Sequence, residues 1–430
     1  MQLVEQHIID KKDSRYEAID QAAFASKNLY NAALYAIRQS YIHKGKYLNY
    51  NQMDKLMKQH EAYKALPAKV SQQVLMQLAN EWDSFFKALD AYKANPSKFR
   101  GRPRLPKYKD KAKGRNLLVY TAQAISKKGL KKRAQVEPSM LPIAIKTQHK
   151  EINQVRIVPR SGFYAVEVVY EHEQPKSAVD PAYYAGIDIG IDNLTALTSN
   201  QPSFVPVLVN GRPMKSVNQF YNKRKAELQS KLGHTGTTKR MERLTNTRNR
   251  RIDHYLHTAS RWIIDDLVAH GIGTLVIGKN DGWKQEAKMG KRTNQNFVSI
   301  PHARFIQMLK YKAELVGITV IITEESYTSQ ASFLDRDEMP VYDPNRKEKP
   351  TFSGKRIERG LYRAKDGTLI NADCNGSSNI IRKVAPEAFG SEGVEDGKSH
   401  KPVVHPVRLS FPSRSQKASN GVVSKRSRER

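Results

Sequence analysis

Apolar residues recur along this chain with two periods, and the change from one to the other organises it. At the N-terminus Leu3, Ile8 and Ile9 supply a short strand over residues 1–9. A helical period follows, with Tyr16, Ile19, Ala23, Tyr30, Leu34, Ile37 and Tyr41 on one face. Asp13 and Ser14 should open that helix, Ser14 and Glu17 having capping-box spacing. After Pro67 a second stripe of Val70, Val74, Leu78, Trp82, Phe85, Leu89 and Tyr92 predicts another long helix, stopped before Asn95 and Pro96. Its aromatics are core-packing residues. From Lys98 to Arg115 the chain reads KFRGRPRLPKYKDKAKGR, where proline and glycine forbid a long helix and leave a solvated, extended basic loop. Period-2 segments come next: Leu118-Val119-Tyr120, then VRIVPRSGFYAVEVVYE over 155–171, two strand-like runs separated by Arg160, Ser161 and Gly162. Tyr164, Val166, Val168 and Tyr170 share a face, as in an antiparallel sheet or small barrel.

From Tyr184 strands and helices alternate. AGIDIGIDNLTALTSN carries two strands around a glycine turn. Residues 241–270 form a helix with Leu244, Ile252, Leu256, Ala259, Ile263 and Leu267 inside and Gly271 as its stop. TLVIG (274–278) is a buried strand, 303–316 an amphipathic helix ended by Gly317, and TVIIT (319–323) a further strand. This is an α/β layer with a mixed sheet. After residue 390 Ser, Lys, Arg, Pro and Gly dominate, which predicts a disordered basic tail over 390–430.

Charge sharpens the picture. Lysine and arginine number 73 against 42 acidic residues, a net +31, so polyanions are the expected partners. Basic residues interleaved with aromatics favour a phosphate backbone over a membrane surface. The nucleic-acid-binding candidates are Arg100, Arg102, Arg104, Lys107, Tyr108 and Lys109, with Phe99 and Tyr108 available to stack on bases, and Arg243, Arg248, Arg250 and Arg251 on the 241–270 helix. No apolar run approaches the roughly 20 residues of a membrane span, and MQLVEQHIIDKKD lacks a signal peptide's basic start and apolar centre. A single cysteine, Cys374, excludes an internal disulfide and a cysteine-based zinc site, and suits a reducing cytoplasm.

Carboxylates add candidate chemistry. Asp188 sits within GIDIG, facing away from Ile187 and Ile189. Glu324 and Glu325 close TVIIT. Asp373 stands in LINADCNGSSNII, where asparagines and Gly376 predict a turn before a short helix through Ile381. Each alone is a strand-end acid, a solvated pair or a helix cap. Together they match what two-metal cleavage of a phosphodiester needs: several carboxylates around Mg²⁺ or Mn²⁺ ions roughly 3.5–4 Å apart. A strongly basic protein with such a cluster would be a nuclease.

GIDIGIDNLTAL, the IGKND segment with Trp283 and Lys284, NQNFVSIPH, EESYTS and NADCNGSSNIIRK, in this order, resemble the RuvC nuclease core of the TnpB family. These are RNA-guided endonucleases of bacterial insertion sequences, related to type V CRISPR effector nucleases. WDSFFKALDAYKANPSKFRGRPRLPKYK (82–109) is similar to that family's N-terminal half, and the likeness covers most of residues 1–385. It implies an α+β multidomain fold: a β-barrel-like wedge domain from 1–10 and 98–178, a helical recognition insert at 11–97, and an α/β RNase H-like (RuvC) domain at 180–385. Asp188 and Asp373 match the family's first and last catalytic, metal-binding aspartates. At its usual middle glutamate this chain has Gly278 and Lys279; a relocated glutamate just before Tyr-Thr-Ser is the family's other solution, and Glu325 fits it. Glu324 is the alternative third carboxylate, although alternation would turn it away, and Glu286 a weaker one. The 329–372 insert holds neither cysteine nor histidine, so no zinc is expected. The partners implied are a guide RNA from the transposon end and double-stranded target DNA, with no membrane, in the bacterial cytoplasm at the nucleoid. Two rivals stay open: a nuclease-inactive RNA-guided repressor, and an RNA-binding or RNA-processing protein.

Overall fold

The N-terminal alternation produces a nine-residue strand, β1 (Gln2–Asp10), whose partner lies more than 150 residues away in sequence. The computed structural model describes residues 1–173, 178–233, 235–280, 290–343, 348–390 and 406–411. It divides into two units, Met1–Glu173 and Gln174–Arg430. After β1 the first unit runs α1 (Tyr16–Lys44), α2 (Tyr50–Met57), α3 (Glu61–Lys64), α4 (Ala68–Ala94), β2 (Leu118–Thr121), α5 (Lys127–Arg133), β3 (Gln135–Val136), β4 (Ile145–Lys146), β5 (Gln154–Arg160) and β6 (Phe163–Glu171). Its main sheet is antiparallel in the order β1-β6-β5-β2. The expected hairpin is β5–β6, turning at Ser161 and Gly162, where φ of +84° favours glycine.

The predicted stripes of α1 and α4 meet in this unit's core: Ile19, Ala23, Tyr30, Leu34 and Ile37 join Val70, Val74, Leu78 and Trp82. Each fully buried large apolar side chain stabilises by about 1.5–3 kcal/mol. Trp82 is enclosed by Tyr41, Tyr47, Phe85 and Phe86. Two details differ from expectation. The Ser14/Glu17 capping box does not form; the helix is preceded by Arg15, and Asp13 accepts its backbone N–H at 2.9 Å and its guanidinium at 2.9 and 2.7 Å. A short carboxylate that closes its own local turn outcompetes the serine cap. The 98–115 loop is irregular and keeps its cations largely exposed, as predicted, and its second half is also pinned to α1. Lys27 Nζ donates to the Lys111 carbonyl at 2.7 Å, Asn31 exchanges two hydrogen bonds with Lys109, and Arg115 forks onto Asp20.

The second unit contains β7 (Asp180–Ile189), β8 (Asn193–Ser199), β9 (Val207–Asn210), α6 (Arg212–Leu232), α7 (Lys239–Ala269), β10 (Ile272–Gly278), α8 (Lys291–Ser299), α9 (His302–Leu315), β11 (Thr319–Thr323), β12 (Lys355–Glu358), β13 (Leu361–Arg363), β14 (Leu369–Asn371), α10 (Ala372–Val384) and β15 (Val407–Leu409). Its six-stranded sheet has the order β11-β10-β7-β8-β9-β15. β7, β8 and β9 are antiparallel neighbours, whereas β10 and β11 run parallel to β7, and β15 parallel to β9. The sheet is therefore mixed, as the alternation predicted. Ile187 and Ile189 point to the face covered by α7 and α9, through Leu256, Ala259, Ile263, Phe305 and Leu309. α10 lies on the other face, so close to β7 that a Cβ on Gly186 would stand 2.3 Å from the Ser377 carbonyl oxygen.

β9 and α6 carry too few periodic apolar residues to announce themselves. The 390–430 tail also departs from uniform disorder: β15 extends the sheet, because Val407 and Leu409 alternate around Arg408 and Leu409 and Phe411 pack on the core beside Tyr255 and Trp262. The remainder of that tail, 391–405 and 412–430, lies outside the described residues. In the 329–372 insert β12, β13 and β14 form an antiparallel sheet. Asp337 fastens it, accepting from Ser332 N at 2.8 Å, Ser353 N at 3.0 Å and Ser353 Oγ at 2.5 Å, while the buried Tyr362 donates to the Gln330 carbonyl at 2.7 Å.

Candidate functional site

Parallel registration brings the C-terminal ends of β7, β10 and β11 together at one end of the sheet. Ile277 pairs with Ile187 and Gly278 with Thr323, so Asp188 lies beside Gly278 and Glu325 follows two residues past Thr323. Two glycines make room for the carboxylates there. A Cβ on Gly278 would stand 2.9 Å from Glu325 Oε2 and 2.6 Å from Ile380 Cδ1; one on Gly376 would stand 2.8 Å from Asp188 Oδ2. The place left empty at the end of β10 is thus filled by the Glu325 carboxylate arriving from β11. Asn280 fixes that arrival by accepting the Glu325 N–H at 3.0 Å.

Asp373 lines the same cleft as Asp188 from the start of α10. Asn371 caps α10 by accepting the N–H groups of Asp373 and Cys374. Asp373 therefore lies in the helix's first turn, where the dipole favours a carboxylate, rather than in a turn ahead of the helix, and Gly376 is helical. Asn193, at the start of β8, donates to Asp373 Oδ2 at 2.7 Å, and an Arg356 guanidinium nitrogen lies 3.5 Å from Oδ1.

Electrostatics follow from this crowding. Burial, then Glu325, then Asp373 push Asp188 up to about 7, with Arg356 only partly opposing. Burial and then Glu324 push Glu325 up to about 7. Carboxyl groups so placed resist ionising together unless positive charge joins them. Glu324 has a different environment. Although burial works against ionisation, Lys383 at 2.5 Å and the Ser326 donors hold its carboxyl below the usual range. It is turned to α10 and already paired.

Above Asp188 and Asp373 opens a cleft of about 370 Å³, bordered by Arg212, Arg356, Arg359 and Arg408. Asp192 also lines it, bound to Lys215 at 2.9 Å and to Arg359. These arginines, Asp192 and Asn193 escaped the sequence reading. The second acid of GIDIGID and the two arginines of KRIERG were the available signals. Glu286 falls outside the described residues. Among the described residues no group of three or more Asp, Glu, His or Cys stands arranged to hold a metal ion. Asp373 is engaged by Asn193 and Arg356. The donor set itself, hard carboxylate oxygens with burial raising the proton affinity of Asp188 and Glu325, fits a divalent cation.

The basic candidates fall in both units. Arg100, Arg102, Arg104 and Lys107 are exposed, and Tyr108, 44% exposed, has the Arg38 guanidinium 5.1 Å from its ring. Lys109 is half-buried over Tyr30, and Phe99 packs on Tyr92, which removes it as a free stacking platform. On α7, Arg243, Arg250 and Arg251 are exposed. Arg248 is tied to Asn218 and the Ser299 carbonyl and packs the unit instead.

Fold and site together define a strongly basic, mixed α/β protein with an arginine-bordered acidic cleft. Residues 167–284 match the family model of a probable transposase, OrfB_IS605, and residues 302–380 that of the Cas12f1-like TNB domain. The two matches bear out the resemblance to the TnpB family. Solved structures similar to it include the cryo-EM structure of the Cas12f1–sgRNA–target DNA complex, at 13% identity and a TM-score of 0.49 over 85% of this chain and 82% of that one. Another is the cryo-EM structure of a CRISPR-Cas12f ternary complex, at 14% identity and a TM-score of 0.34 over 84% and 80%. No curated protein matches the chain.

Proposed function

We propose that this protein is an RNA-guided DNA endonuclease that hydrolyses phosphodiesters with divalent metal ions held by Asp188, Glu325 and Asp373. The observation that carries the reading is Gly278: its missing side chain leaves room for the Glu325 carboxylate beside Asp188, so the family's middle acid is relocated rather than lost. The β11-β10-β7-β8-β9 order, three antiparallel strands continued by two parallel ones, supports an RNase H-like core. Oxygen ligands of this kind suit magnesium or manganese, which when bound supply an activated water and neutralise charge on the scissile phosphate. Asn193 holds the Asp373 carboxylate in the cleft. Arg356 and Arg359, paired with Asp373 and Asp192, put positive charge at the cleft border where a phosphate backbone would lie. The first unit, with its antiparallel sheet, helices and basic loop, would hold the guide RNA and read a short duplex motif, while base pairing supplies sequence specificity.

The test is cleavage of a plasmid bearing candidate targets by the protein purified with its own RNA, in Mg²⁺. Cleavage abolished by Asp188→Ala and by Glu325→Ala supports the reading. Loss with Asp188→Ala but not Glu325→Ala places the third ligand elsewhere. No cleavage with any divalent metal favours the RNA-guided repressor, and copurified RNA without any DNA binding favours the RNA-processing alternative.

A further inference from the structure

The C-terminal segment enters the cleft in a way the nuclease motifs do not foreshadow. Asp188 pairs with Ala196, Ala196 with Leu208, and Leu208 with Arg408, so one row crosses β7, β8, β9 and β15. Residues in register across a sheet project to the same face. Arg408 therefore shares the face and level of Asp188, three strand spacings away, or about 14 Å. Both line the same cleft. Arg356 and Arg359 are engaged by Asp373 and Asp192, whereas among the described residues Arg212, at the start of α6, and Arg408 make no ion pair. The strand of Arg408 is held firmly. Val407 N donates to the Pro206 carbonyl at 2.9 Å, Asn210 bonds Ser410, and Phe411 packs between Tyr255 and Trp262.

We propose that Arg408 is a substrate-binding residue of the cleft, contacting a backbone phosphate of the nucleic-acid strand whose scissile group lies at Asp188. The inference rests on the nuclease reading of the site. At roughly 3.4 Å per strand charge, 14 Å corresponds to about four nucleotides at duplex spacing, fewer on an extended strand. A guanidinium suits this place because it keeps its charge and donates bidentately to phosphate oxygens. The competing account is edge protection: a cation on a short edge strand discourages pairing with another chain. That account requires a charge but no nucleic acid.

The experiment uses the full chain with Arg408→Ala, Arg408→Gln and Arg408→Lys, the Gln variant keeping length without charge and guarding against a folding defect. Affinity for a fluorescein-labelled single-stranded oligonucleotide is measured from 50 to 200 mM salt without divalent ions, so that cleavage plays no part. One lost phosphate contact lowers the slope of log Kobs against log salt by about 0.7. That loss is expected in the Ala and Gln variants, with Lys retaining the slope, and in cleavage assays KM should rise several-fold with kcat little changed. Slopes equal to wild type in both neutral variants overturn the inference even if the wild-type protein cleaves. A wild-type protein that fails to cleave overturns the nuclease reading, while the salt slopes still decide whether Arg408 holds a phosphate.

Discussion

Gly278 offers the most direct trial of the relocated carboxylate. In Gly278→Ala the new Cβ would meet Ile380 Cδ1 at 2.6 Å and Glu325 Oε2 at 2.9 Å. Ile380 is fully buried, so the added methyl has little free room and should cost about 1–3 kcal/mol as overpacking. For a unit of this size that is roughly 2–4 °C in Tm per kcal/mol. The catalytic loss should be larger than the stability loss. The carboxylate is the group with freedom to yield, and moving a ligand out of place should cost on the order of 10²–10³-fold in cleavage rate, comparable with removing a transition-state donor. The converse exchange gives the stronger test. Glu325→Ala empties the place, and Gly278→Glu in that background returns an acid to the end of β10. We expect Glu325→Ala to be inactive, Gly278→Glu alone to be inactive and destabilised because two carboxylates compete for one place, and the double variant to recover activity above either single one. Single-turnover cleavage with all four proteins yields the coupling energy directly. A Gly278→Ala protein that melts and cleaves like wild type would refute the argument, because the Glu325 carboxylate could not then occupy the space beside Asp188.

Three further outcomes follow from the same geometry. Asp188 and Glu325 have proton affinities raised to about 7 from unperturbed values of 3.8 and 4.5, so the metal-free fold binds more protons than the unfolded chain between about pH 4 and 7 and loses stability as pH rises through that window. Asp188→Asn should therefore raise the metal-free Tm at pH 8 more than at pH 5, and Mg²⁺ should stabilise wild type but not the variant; an equal or lower Tm at pH 8 contradicts this. Glu324→Gln should leave cleavage within a few-fold but cost about 1–3 kcal/mol in thermal melts, because Lys383, 8% exposed, loses its carboxylate; inactivity like that of Glu325→Ala would exchange the two roles. Asp337→Ala leaves donors from Ser332 and Ser353 unpaired, which should loosen the 329–372 insert and speed its limited proteolysis while α7 and α9 stay protected.

Legibility in the sequence followed the strength of the pattern. The stripes of α1, α4, α7 and α9 and the alternation of β5 and β6 reflect large apolar areas facing one core, so periodicity exposed them. α6 has only Met214 and Asn218 buried along 21 residues, and such a helix reads as polar sequence. β15 is three residues long in a basic tail, visible only through the partner it finds on β9. The candidate carboxylates could be picked out because metal chemistry restricts them to a few residue types, while the arginines that border the cleft were hidden by abundance: in a chain with 73 lysines and arginines, no one cation stands out until the fold selects it. The cap at α1 failed for a local reason, Asp13 binding Arg15 before Ser14 could act.

Parallel pairing would itself permit the proposed exchange of a carboxylate between neighbouring strands. β10 and β11 are in register through Gly278 and Thr323, so their ends stand one strand spacing apart, about 4.8 Å. A glutamate side chain spans nearly that distance. An acid leaving the end of β10 can thus be replaced by one just past the end of β11, provided that the vacated position carries no side chain and the incoming backbone is held. Gly278 meets the first condition and Asn280, accepting the Glu325 N–H, meets the second. Glu324 shows why both matter: one residue nearer the strand, it points to α10 and is neutralised by Lys383. The position of the acid along the chain is therefore less constrained than the place of its oxygens, and a residue count from a motif understates how far a functional carboxylate can move while its site stays the same.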